Sequence, residues 1–183
     1  MRLLFPKTFH RIHPGHGPLF FLAGPVRGAG DWQWNCCELI NAQLPHFYAA
    51  LPCRYTNSHP ALAFALTGPT DKFDRQLTWE RHYIEQAALA GCLIFWLPCE
   101  KADDPRVGDE PYAMDTRGEL GEWRGRMMND SRLRIVVGAE PNFPGLSQIQ
   151  RNFTQALQRP FVIHDSLNAV VQAALELLRS SSA

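Results

Sequence analysis

The sequence predicts an α/β domain, an open parallel five-stranded sheet with helices on both faces in three layers. Three observations lead there. Short apolar runs at Leu19–Ala23, Cys92–Leu97 and 133–137 do not alternate with polar residues, as expected of strands covered on both faces. Segments with helical apolar spacing stand between these runs. A glycine-rich turn, Gly24-Pro25-Val26-Arg27-Gly28-Ala29-Gly30, follows the first run and leads into a helix. Strand, glycine turn, helix is a βα unit whose backbone N–H groups can meet a polar ligand.

In order, residues 1–17 read as an N-terminal arm ahead of a single domain over 18–180. His10, His13 and His16 have a spacing that could serve a metal on a helix, but Pro14 and Gly15 break any helix there, so a loop is expected. After the first strand and turn, Asp31 is placed to cap a helix over 32–43. A second strand falls within 47–55, interrupted by Pro52. Residues 57–74 are rich in Pro, Gly and Thr. A helix over 77–90 carries Tyr83, Ile84, Ala87 and Ala88 as its apolar stripe, and Glu80 shares that stripe near the helix start. A glutamate there also suits the helix dipole, so the residue reads as structural or functional with equal weight. The central strand Cys92–Leu97 ends at Pro98, and residues 98–114 read as a mobile polar lid. A helix from Asp115 to about residue 129 follows, with Glu119 in its opening turn. The remaining expected elements are a strand at 133–137, a helix at 146–157, a last strand at 160–164, and a helix capped by Asp165 or Ser166. The Ser-Ser-Ser-Ala tail should fray.

With 183 residues the chain can bury a core without covalent staples, roughly 70% of the unfolded surface at this size. Its formal net charge is zero, which argues against a non-specific grip on large nucleic acids or anionic membrane. No apolar run is long enough to span a membrane. Five cysteines, with no C-x-x-C pair, fit reduced core residues better than a disulfide framework or a zinc site. No leader pattern opens the chain, and a cytoplasmic location is expected. The glycine turn lacks the full dinucleotide fingerprint, and no cofactor is expected.

Ligands of parallel α/β folds bind at the carboxyl edge of the sheet. The glycine turn, the start of the 77–90 helix and the start of the 115–129 helix all belong at that edge. Glu80 and Glu119 would therefore meet there, and paired carboxylates suit glycosidic chemistry. Gly24, Pro25, Arg27 and Thr116 are candidate substrate-binding residues. Trp32 and Trp96 could offer a stacking surface to a base. For most of Trp32, Trp79, Phe95, Trp96 and Trp123, core packing is the better reading.

Phe21-Leu22-Ala23-Gly24-Pro25, Trp79-Glu80, Ile94-Phe95-Trp96 and Gly118-Glu119-Leu120-Gly121 resemble the nucleoside 2-deoxyribosyltransferase-like superfamily over residues 19–140. The resemblance implies a flavodoxin-like fold with strand order 2-1-3-4-5, Glu119 as the nucleophile that takes the glycosyl group from the base, and assembly as homodimers or higher. The aspartate that family members carry near Tyr83 or Ile84 is missing, and Glu80, one turn earlier, stands in for it. Gly91-Cys92 replaces an acidic residue before the central strand. The expected function is cleavage or exchange of an N-glycosidic bond in a nucleoside or nucleotide. The alternative is a non-catalytic nucleotide-sensing module on the same frame. A weaker third reading is a metal-dependent enzyme using the N-terminal histidines.

Overall fold

The computed structural model describes residues 1–56, 58–105 and 111–180. The expected lid at 98–114 and the frayed tail fall partly on residues outside this set. Among the described residues, five strands form one parallel sheet: β1 (Arg2–Leu4), β2 (Leu19–Ala23), β3 (Tyr48–Ala50), β4 (Cys92–Leu97) and β5 (Ile135–Ala139). The spatial order is β1-β3-β2-β4-β5. Five α-helices surround it: α1 (Trp32–Asn41), α2 (Gln76–Ala90), α3 (Met114–Asn129), α4 (Leu146–Leu157) and α5 (Leu167–Ser180).

The non-alternating runs have the burial they predict, since β2 to β5 are buried at every position. Alternate side chains feed two cores. Phe21, Leu93, Phe95 and Val137 pack with Trp79, Tyr83, Leu120 and Trp123 of α2 and α3. Phe20, Leu22, Ile94 and Val136 pack on the other face with Cys36 and Ile40 of α1 and Val170 and Val171 of α5. The result is a three-layer, flavodoxin-like α/β/α domain, with α1 and α5 on one face and α2, α3 and α4 on the other.

Two details correct the sequence reading at the sheet edges. The start of the expected arm is a strand: Leu3 and Leu4 are fully buried, one in each core, and β1 pairs along the outer side of β3. The arm beyond it is anchored rather than loose. Trp79 Nε1 donates to Thr8 O at 3.0 Å, Tyr83 Oη donates to His10 O at 3.0 Å, and His10 N donates to Tyr83 Oη at 2.8 Å. Buried Trp and Tyr need partners for their polar tips, and the arm backbone supplies them. At the opposite edge the expected strand 160–164 is reduced to a bridge. His164 N donates to Val137 O at 3.0 Å and Ala139 N to His164 O at 2.8 Å, while Pro160 has no N–H to extend the ladder. The expected order 2-1-3-4 therefore stands as β3-β2-β4-β5, and the fifth strand lies at the β3 edge.

Helix starts also shift. Asp31 occupies the cap position of α1, but its side chain makes no bond to the helix. Its carboxylate instead accepts from Tyr55 Oη at 3.0 Å and pairs with His59 Nε2 at 2.8 Å. Helix α3 begins at Met114, so Asp115 is the first-turn carboxylate and Glu119 lies one turn further in. Ser166 caps α5 as expected, its Oγ accepting from Ala169 N at 3.3 Å. All five cysteines are free, four of them buried. Among the described residues no helix is long and apolar enough to cross a membrane.

Candidate active site

A cavity of about 610 Å³ opens at the carboxyl edge of the sheet, within the range of small-ligand sites. Four segments line it: Phe21 and 23–27 at the end of β2 and in the turn after it, Pro52 and Arg54 after β3, Gln76 and Glu80 at the start of α2, and Tyr112 to Thr116 with Glu119 at the start of α3. Six of the eight candidate residues thus reach one space: Gly24, Pro25, Arg27, Glu80, Thr116 and Glu119. Thr116 is buried there, 4% exposed.

Trp32 and Trp96 do not line the cavity. Both are buried. Trp32 Nε1 donates to Pro25 O at 2.8 Å, so the indole braces the glycine turn from behind. Trp96 packs in the core beside α5. The apolar side chains on β4 that could have met a base point into the two cores, because the strand is covered on both faces. Gly24 is required where it stands: its φ is +155°, and a Cβ there would lie 2.3 Å from Trp96 O and 2.8 Å from the Trp32 ring. The turn can therefore bring backbone close to the cavity only as glycine.

Three carboxylates share this space. Asp115 and Glu119 stand one turn apart on α3, and Glu80 comes from α2. Burial pushes the Glu119 carboxyl up to about 7, and the charges of Glu80, Asp115 and Glu122 add to the rise. Burial also raises Glu80, and Asp115 adds to this, while a hydrogen bond from Gln76 opposes it. That bond is short: Gln76 Nε2 donates to Glu80 Oε1 at 2.7 Å. No donor among the described residues reaches Glu119. Arg27 and Arg54, both exposed, bring positive charge to the same cavity.

No protein-family model matches the chain, and no curated protein matches it. The site therefore stands on its own geometry.

Several lining residues were not anticipated: Pro52, Arg54, Gln76 and Tyr112 to Asp115. Position alone held a signal for two of them. Arg54 follows β3 at the ligand edge, and Gln76 stands four residues before Glu80, the spacing at which helical side chains meet. Ala113 is a further marked position. It holds a left-handed backbone, φ 59°, at the mouth of α3, a conformation that costs a non-glycine residue about 1 kcal/mol. The histidines of the arm gather away from the cavity, at the amino end of β3. His16 Nδ1 lies 3.1 Å from Tyr48 Oη, and His10 and His16 both pack against the Tyr48 ring. Among the described residues no group of three His, Cys, Asp or Glu side chains has metal-binding geometry.

Proposed function

We propose that this cavity binds a nucleoside or nucleotide and that Glu119 cleaves or exchanges its N-glycosidic bond. The observation that carries this reading is the convergence of Glu119 and Glu80, from two different helices, on one pocket at the ligand edge of the sheet. In the proposed step a Glu119 carboxylate oxygen bonds to C1′ as the C1′–N bond breaks. The electron pair leaves with the base, which takes a proton from solvent or from a neighbouring acid. Water or a second base then attacks C1′ and releases Glu119. Glu80 and Asp115 hold negative charge beside the sugar, where the oxocarbenium-like centre develops. Arg27, at the tip of the glycine turn, has no ion-pair partner among the described residues and is the proposed ligand of a 5′-phosphate. The proposed assembly is a homodimer or higher, consistent with the exposed Met114 and Met128 at the two ends of α3, 57% and 58% accessible.

Incubating the protein with a panel of nucleosides and nucleoside monophosphates, and measuring free base by chromatography, tests the reading. Release or exchange of base is expected, and its loss in Glu119→Ala with the fold retained. Ligand binding without turnover would instead identify a sensing module. Monophosphates are expected to react faster than nucleosides, and equal rates would remove Arg27 from its role.

A further inference from the structure

Gln76 makes three contacts that together fix which way its amide faces. Arg54 Nη2 donates to Gln76 Oε1 at 3.2 Å. Gln76 Nε2 donates to Pro52 O at 3.2 Å and to Glu80 Oε1 at 2.7 Å. A guanidinium can only donate and a carbonyl can only accept. Turning the amide over would set N–H against guanidinium and oxygen against carbonyl, so the Nε2 orientation follows from chemistry. An N–H donor facing a carboxyl group favours its ionised form, whereas an amide oxygen in that place would favour the protonated acid.

Glu119 has the opposite surroundings. The groups sharing its cavity are Glu80 from α2, Asp115 on its own helix, Arg27 in the glycine turn, Arg54 after β3 and Tyr112 before α3. Glu122, on its own helix, adds charge from outside the lining. None of these donates a hydrogen bond to it.

Resting on the glycosidase reading of the site, we propose that Gln76, oriented by Arg54, is a positioning residue that sets the order in which the two cavity glutamates ionise: its N–H holds Glu80 as the carboxylate, and Glu119, which no donor among the described residues reaches, keeps its proton to higher pH. The two carboxyl groups then enter the reaction in different states although both are glutamates. Glu80, with a donor on its carboxylate, gives up its proton at lower pH than Glu119. Glu119 becomes a nucleophile only after releasing its proton to solvent, and its elevated range near 7 places that event close to neutrality.

The test is a pH titration by NMR of protein labelled with ¹³C at the glutamate side-chain carboxyl, with Glu80→Gln and Glu119→Gln assigning the two signals. In the native chain the Glu119 carbon is expected to titrate last. In Gln76→Leu the Glu80 step should rise by about one pH unit towards that of Glu119, the scale of one lost hydrogen bond to a charged group. Arg54→Met, a change at an exposed side chain, should move the Glu80 step in the same direction by less. An unmoved Glu80 step in both variants, or Glu80 titrating last in the native chain, would overturn the proposal. Where turnover is present, the acid limb of kcat/KM should follow the Glu119 step in the native chain and steepen in Gln76→Leu as the Glu80 step approaches it. Absence of turnover with every substrate would defeat the functional reading while the titration still decides the role of Gln76.

Discussion

At the residue scale the chain concentrates its chemistry in Glu119. A carboxyl raised by burial among other carboxylates binds a proton more tightly in the folded state than in the unfolded one. The linkage follows in sign: folding carries no penalty from this group below the ordinary carboxylate range. The penalty grows as pH rises towards about 7 and is complete above that. Glu119→Gln should therefore raise the melting temperature at pH 8 and leave it unchanged near pH 4. Because Glu119 is half-buried, a gain on the order of 1–2 kcal/mol is expected, or roughly 2–6 °C for a domain of this size. A calorimetric scan at the two pH values checks it. In the proposed reaction kcat/KM should climb tenfold per pH unit below about 7 and level off above, because only ionised Glu119 attacks. Gly24 is the residue on which the turn depends. Gly24→Ala should destabilise the fold by about 2–3 kcal/mol in urea unfolding, since the added methyl meets both Trp96 O and the Trp32 ring.

At the scale of elements, α2 ties the site to the edge of the sheet. Its buried face meets the arm through Trp79 and Tyr83, and its first turns present Gln76 and Glu80 to the cavity. The start of α2 is set by Asp74, whose Oδ1 accepts from Arg75 N at 2.8 Å and from Thr78 Oγ1 at 2.8 Å. Strand β1 adds the remaining support. Leu3→Ala and Leu4→Ala each remove a fully buried side chain from one core and should cost about 2–4 kcal/mol. Opening β1 would also expose the β3 edge, and hydrogen exchange should then report lost protection at Tyr48 to Ala50. Unchanged protection in either variant would show that the strand adds little to the sheet.

At the scale of the whole molecule, charge is balanced rather than patterned. With equal acidic and basic counts and a pI near 7.0, solubility should pass through a minimum close to neutral pH, a trend that light scattering between pH 5 and 9 can follow. The balance gives no net charge to draw a polyanion, so the proposed anion recognition depends on Arg27 at the cavity. Sedimentation of the native chain and of Met114→Lys checks the proposed assembly, and a shift of the variant to smaller species is expected if α3 takes part.

The sequence by itself determined the α/β class, because an apolar run without alternation demands cover on both faces and a helical stripe provides it. It also brought Glu80 and Glu119 to one edge, since helices that follow and precede parallel strands must begin there. Tertiary structure decided the rest. Leu3 and Leu4 become a strand only because β3 offers a free edge, and 160–164 falls short of one because it pairs only around His164. Trp96 turns inward because the faces of a covered strand point to cores and not to its ligand edge, and Trp32, at the start of α1, because its indole donates to Pro25 O behind the glycine turn. Arg54 and Gln76 could not be read as partners from a separation of 22 residues. Only the packing of the β3 exit against the start of α2 brings a guanidinium to the amide that holds Glu80.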